Sequence, residues 1–495
     1  MRFLLTLLLI GTWMSFQPHG RGAEWSRFRG PLRNGISSEP GTLGTNWASW
    51  FNAPVWERNV GTGFTSVAIS SGRLFVAGNT NNTDTVFCLN VTNGANIWSH
   101  SFPTLIDPNL YEGGPSATPT IDGDRVYSIS KAGDLFCFNV TNGTIHWQIN
   151  ITNAFQLRRS IWGYASSPLI MGERMYLNAA GGGLCLNKND GSRIWMSQTN
   201  TSTSGSRNGY ATPVSYDAEG TPALLNFSFR DLFSVRQSDG TVLWRIPWTT
   251  QFDINIADPI LYKGGILISS YDRPTVMLRV TNNVVSTNWI SNPLFGGVYL
   301  SAGVVISNLL FTFIGDVRDV SYFMCVDLDT GMQKWIVPQY ASFEQPPYGS
   351  VISVDNKVLA LSGSGELLLF MPSGASDANR PMQRKYILGG RCWAPLVFNN
   401  GSVYARNSAG TLRSFAAPWT PEIAPTLSIQ RTAPPPRVVV SWPASNSTYQ
   451  LQAAPFGGPS LSFSAVTNSP ATNGSLKSVT NDASGGGKVF RLIKP

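Results

Sequence analysis

Histidine is nearly missing from this chain: there are three in 495 residues, and only His100 and His146 follow the first 23. Neither is placed for a zinc site or a nucleophile, general base and carboxylate set. Both read as surface or strand-packing residues on outer strands, so no catalytic residue and no metal site is expected. Charge is also scarce, at 13% of residues, and the Lys and Arg behind a formal charge of +8 are scattered without a run, which argues against a nucleic-acid partner. The five cysteines include no vicinal pair and no Cys-x-x-Cys, and none precedes Cys88, so the attachment cysteine of a bacterial lipoprotein is lacking.

What is plentiful is turn and aromatic chemistry: 48 Gly, 32 Pro and 16 Trp, the profile of a turn-rich all-β protein. Met1-Arg2 and the apolar run Phe3 to Phe16 form the charged and apolar regions of a secretory signal, too short for a membrane span. We assign residues 1–23 to that signal. The mature chain is then expected in the periplasm or outside the cell, with no transmembrane anchor and as a monomer.

One stretch organises the rest. Leu135 to Trp147 reads as strand, turn, strand around Asn142-Gly143, a dipeptide that tolerates the positive φ angles of a tight hairpin. Copies aligned on the Trp run from Val86 to Trp98, Gly183 to Trp195, Leu232 to Trp244, Met277 to Trp289 and Phe323 to Trp335; Trp56 is an orphan half-copy and Tyr386 a weak final anchor. Steps between anchors are 42, 49, 48, 49, 45, 46 and 51 residues, with a second hairpin readable in each interval. Four strands per period of this length is the signature of a propeller. The count predicts an eight-bladed β-propeller of four-stranded blades over residues 54–417. Residues 54–60 would supply the strand missing from the last blade, closing the ring between the two ends of the chain. Residues 24–53 form a lead-in expected to be irregular, residues 418–425 a Pro-rich linker, and residues 426–495 a small β-sandwich of fibronectin or immunoglobulin type.

Cys325-Val-Asp-Leu-Asp-Thr-Gly-Met-Gln-Lys-Trp335 resembles the repeat of the pyrroloquinoline-quinone (PQQ)-like propellers, a small residue followed by Asp-x-x-Thr-Gly-x-x-x-Trp. In that family the Trp docks on the Gly-containing turn of the neighbouring blade. Here the Gly recurs as Gly94, Gly143, Gly191, Gly240 and Gly331, while Val285 and Met382 depart from it. The small residue ten places before the Trp is Cys88, Cys137, Cys185, Ser234 or Cys325. One repeated position for four of five cysteines suits buried small residues better than disulfides. Trp25-x-x-Phe28-Arg-Gly-Pro31 and Arg33-Asn-Gly35 also resemble the lead-in of secreted bacterial members. Two branches of the family bear on function: the PQQ-dependent quinoprotein dehydrogenases and BamB-like assembly scaffolds. The resemblance implies, for the first, a vicinal disulfide and a Glu, Asn and Asp set around calcium; the disulfide is absent from this sequence and the set cannot be located in it.

If each blade runs from inner to outer strand, the Asn-Gly turns lie on one face and the variable connections on the other. The second face would gather Arg158, Arg159, Trp162, Tyr164, Tyr210, Asp253, Asn255, Asp258, Tyr299, Tyr348, Arg391 and Trp393. Aromatic faces beside Arg and carboxylates suit a protein segment, a glycan or a small polar ligand. Equally, these residues could plug the channel, with Asp258 capping a turn. The expectation is a non-catalytic protein-binding or assembly scaffold without cofactor. The alternatives are a PQQ- and calcium-dependent oxidoreductase and a carbohydrate-binding protein.

Overall fold

The computed structural model describes residues 24–108, 111–179, 181–197, 209–291, 297, 300–315, 321–337, 348–422, 427–431, 437–443, 450–455, 464–482 and 488–493. The segment assigned to a signal and Tyr299 lie outside them. The chain divides into two compact units, Met1–Pro421 and Glu422–Pro495.

The described part of the first unit contains eight four-stranded antiparallel sheets, the arrangement of a β-propeller. Seven are simple meanders, over residues 68–103, 120–150, 169–196, 214–247, 260–290, 304–337 and 349–386. The eighth joins three strands of residues 397–416 to Trp56–Asn59, with Trp56 opposite Ser414 and Asn59 opposite Thr411. The orphan half-copy is therefore its fourth strand.

Within four of the meanders the packing explains the repeat. Cys88 lies between Phe75 on one neighbouring strand and Trp98 on the other; Cys137, Cys185 and Cys325 lie likewise between Tyr127 and Trp147, Tyr176 and Trp195, and Phe311 and Trp335. The flanking rings come within 5.7 to 6.1 Å of each other across the small side chain. A larger residue would force them apart. All five cysteines are free and buried, and burial pushes the Cys88, Cys185, Cys325 and Cys392 thiols up to about 12.

Between most neighbouring sheets an outer Trp caps the next turn. Trp98 Nε1 donates to Val140 O at 3.2 Å, and a Cβ on Gly143, whose φ is +73°, would lie 2.6 Å from the indole. Trp56, Trp147, Trp195 and Trp289 meet Gly94, Gly191, Gly240 and Gly331 in the same way. Where Val285 replaces the glycine, Trp244 turns its N–H to Tyr216 Oη at 3.1 Å.

The lead-in is more structured than its composition suggests. Gly41–Leu43 pairs antiparallel with Trp419–Pro421, so the segment read as a linker begins as a strand. Trp47 and Phe51 are buried, Phe51 against Phe415. Residues 25–37 cross the ring of first strands: Ile69 N–H donates to Trp25 O, Ile121 N–H to Ser26 O, and Ser37 N–H to Ser353 O. The second unit contains a four-stranded and a three-stranded sheet, and Val440, Trp442, Leu451 and Val479 share one apolar cluster between strands of both.

Candidate functional site: an aromatic cavity at one mouth of the ring

A residue just before each first strand has little freedom, because the strand fixes one side of it and the connection must cross from the outer edge to the axis. Those connections converge. Phe64, Tyr111, Trp162, Tyr210, Ile254, Leu300 and Trp393, with Phe28 of the lead-in, line a mostly apolar cavity of about 150 Å³. Trp393 is its hub: its ring stacks on Phe64 at 5.9 Å, meets Tyr111 edge-on at 4.8 Å and Tyr348 at 6.2 Å. Trp162 and Tyr210 form a second edge-to-face pair at 6.0 Å.

Charged side chains at this mouth are tied to one another. The Arg391 guanidinium sits 4.4 Å from the Trp393 ring centre and 4.8 Å from that of Tyr111, and its Nε donates to both Glu112 carboxylate oxygens at 3.1 Å. Lys131, almost wholly buried, contacts Asp107 through that residue's carbonyl and carboxylate, and Arg159 donates to the same carboxylate at 2.9 Å. Burial raises the Asp107 carboxyl, but the two cations outweigh it and hold it below its ordinary value.

Neighbouring connections are sewn together by a row of hydrogen bonds. Ser66 N–H donates to Thr118 Oγ1, Thr118 N–H to Ser167 Oγ, Ser167 N–H to Thr212 Oγ1, and Thr212 N–H to Asp258 Oδ1 at 2.8 Å. Asp258 thus takes a place that Thr or Ser fills in the sheets before it. Burial pushes its carboxyl up to about 6, against the pull of Arg29, the Thr212 N–H and Arg33.

Of the residues expected on this face, Trp162, Tyr210, Asp258 and Trp393 reach the cavity wall, with Tyr348 and Arg391 packed behind Trp393. The others do not. Tyr164 is buried in the core between the second and third sheets, where its hydroxyl meets Thr152 Oγ1 at 3.3 Å. Asn255 is fully buried and spends its amide on Ser228 O, Trp248 O and Ser270 Oγ. Asp253 pairs with Arg230 through two 2.8 Å bonds, Arg159 is held by Asp107, and Arg158 is exposed. Sequence reasoning missed Phe28, Phe64, Tyr111 and Lys131. The first stands in the Trp25-x-x-Phe28 motif, which was visible but carried no sign that the lead-in enters the ring.

Among the described residues no three His, Cys, Asp or Glu side chains come together as a metal site. The cavity wall carries one carboxylate, Asp258, where calcium takes roughly six to eight oxygen ligands. These side chains do not fit a calcium and quinone pair. No helix among them is long and apolar enough to cross a membrane.

No curated protein matches the sequence at a significant level. Solved structures do resemble the fold. BamB from Moraxella catarrhalis has 13% identity and a TM-score of 0.54, covering 74% of this chain and 99% of that one. A quinohemoprotein alcohol dehydrogenase from Pseudomonas putida HK5 has 10% identity and a TM-score of 0.58, covering 84% of each chain. A europium-containing methanol dehydrogenase has 9% identity and a TM-score of 0.58, covering 80% of this chain and 98% of that one. The model of the family described as outer membrane protein assembly factor BamB matches residues 82–337, just over half of the sequence, and the chain belongs to that family.

Proposed function

We propose that this chain is an extracytoplasmic, non-catalytic binding scaffold that takes a protein partner at the aromatic cavity. In this reading the eight sheets are the blades of one closed propeller, and residues 426–495 form a small β-sandwich appended to it. The observation that carries the proposal is the cavity itself. Six aromatic side chains from separate segments meet there, while the charges of Arg391, Lys131 and Arg159 are already paired with Glu112 and Asp107. Such a wall offers ring faces and apolar surface, and few uncommitted polar groups. It suits an aromatic or aliphatic anchor side chain of a polypeptide, the kind of group that dominates binding energy at protein interfaces. A glycan would ask for more free donors and acceptors around the rings. Membership of a family described by outer-membrane protein assembly, and the charged and apolar start of the sequence, support an envelope location.

The test is selection of displayed peptides on the full-length protein, followed by titration of the enriched sequences. Peptides with an aromatic or aliphatic anchor should bind, and Trp162→Ala and Trp393→Ala should each weaken them by about 30-fold or more, the scale of an interface hot spot. Binding that survives both substitutions would sink the proposal. So would stoichiometric uptake of PQQ with calcium accompanied by alcohol oxidation, which would favour the oxidoreductase.

A further inference from the structure

The Arg-rich lead-in, which the aromatic cavity does not explain, builds a second cavity. Phe28 and Asp258 stand in the walls of both. This second space, of about 320 Å³, is lined by Arg27, Arg29 and Arg33, by Ser167 and Pro168 just ahead of the third sheet, and by the first strands of the fourth to sixth sheets. Leu32 and Leu261, 71% and 43% exposed, belong to the same lining, so the space opens to solvent.

Three guanidiniums share that lining with one carboxylate, Asp258. Arg29 is only 9% exposed; its Nη2 donates to Gly303 O at 2.8 Å and its Nε to Arg33 O at 3.2 Å. Arg33 Nη2 donates to Ile170 O at 3.2 Å, and Arg27 Nε to Ser26 Oγ at 3.3 Å. Each guanidinium has five N–H donors, so most of this donor capacity is uncommitted among the described residues. None of the three forms an ion pair with a described carboxylate. Asp258 accepts from the Thr212 N–H and acts on Arg29 and Arg33 only through space, as Glu24 and Asp122, the latter held by Lys188 at 2.9 Å, act on Arg27. Burial, and for Arg33 the charge of Arg27, works against their protonated forms and outweighs the pull of these carboxylates. Cations held this close without a directly bonded carboxylate are expensive unless an anion joins them. Planar guanidinium forks match the oxygens of a tetrahedral oxyanion, which can accept from several at once.

We propose that this cavity binds a tetrahedral dianion, sulfate or phosphate, either free or as the terminal group of a small monoester. The proposal does not rest on the function proposed for the aromatic cavity, although the two spaces share Phe28 and Asp258 as wall residues.

The experiment is calorimetric titration of the full chain with sodium sulfate and with phosphate, at ionic strength held constant by sodium chloride. Saturable one-site binding is expected for both. Arg27→Gln and Arg33→Gln, which spare the more deeply buried Arg29, should each weaken it by about tenfold or more, with the fold checked by circular dichroism. Asp258→Asn, which removes the opposing charge, should tighten it several-fold. Galactose 6-sulfate and glucose 6-phosphate separate the sources: tighter binding than the free ions identifies an ester, weaker binding a free ion. The proposal is overturned if neither anion gives saturable heat beyond chloride, if both Arg variants bind as the parent does, or if Asp258→Asn abolishes binding.

Discussion

Two kinds of junction hold the ring together, and they differ in what supplies the contact. Between most neighbouring sheets an outer Trp lies on the glycine turn of the next sheet and donates to a carbonyl there, as Trp98 does to Val140. Between the seventh and eighth sheets this is impossible. The last two strands of the eighth sheet, Thr411–Ala416 and Trp56–Asn59, come from opposite ends of the propeller segment, so no hairpin turn joins them. Tyr386 stands where the Trp would be and is 67% exposed. The lead-in and Trp419 fill the neighbourhood instead, with Trp47 on Phe51 and Trp419 against Phe398. At the closing seam polar stitching adds to the docked Trp56: buried Arg406 donates to Thr65 O at 3.0 Å, Ala77 O at 2.8 Å and Gly61 O at 2.9 Å. A repeated contact can be inherited by copying a motif, whereas a seam needs residues used once.

The most severe way to break the comparison is to remove the seam. Deleting residues 54–60 takes away a paired strand and the docked Trp56, and exposes the edge at Thr411–Ala416. Stability should fall by about 5 kcal/mol or more, the scale of a large buried aromatic plus a lost ladder. Chemical denaturation of the deletion and parent chains measures it; coincident transitions would show that the ring does not depend on this strand.

A smaller effect sharpens the other side. Gly143→Ala would place a methyl 2.6 Å from Trp98 at a φ of +73°, whereas Gly123→Ala, at φ +61°, meets nothing within 4 Å. Both carry the left-handed backbone cost of about 1 kcal/mol. Only the first adds crowding, so about 2–4 kcal/mol is expected at Gly143 and about 1 kcal/mol at Gly123. Equal losses at the two glycines would mean that the indole does not press on the turn.

This asymmetry also explains what was legible in the sequence. The Cys and Trp spacing announced the four-stranded sheets because one contact is repeated with one period, and the orphan Trp56 announced the strand that completes the eighth sheet because the period was broken there. The course of the lead-in was illegible. Its bonds run from Arg33 to Ile170 and from Arg29 to Gly303, across separations that no local pattern encodes. The candidate site shows the same limit on a shorter scale. Trp162 and Tyr164 stand two residues apart in one irregular connection, yet the first faces the cavity and the second the core, because no regular alternation fixes direction there.

The mildest test lies in the polar stitching of the first sheet. Asp84 is buried and accepts from Asn79 Nδ2 at 2.6 Å, while the Asn79 backbone pairs with Thr62 on the segment leaving the closing strand. Burial pushes the Asp84 carboxyl up to about 6 from its ordinary 3.8, with the Asn79 amide pulling the other way. The folded state therefore binds this proton more tightly than the unfolded chain does. The resulting stabilisation is complete below pH 3.8 and is lost as pH rises through about 6. Asp84→Asn keeps an acceptor for Asn79 and removes the titration. Its stability relative to the parent should rise by about 1–2 kcal/mol between pH 5 and pH 7.5. A difference that stays flat across that interval would show that the carboxyl is already ionised at pH 5 in the folded ring, and that the polar stitching beside the seam carries its charge without cost.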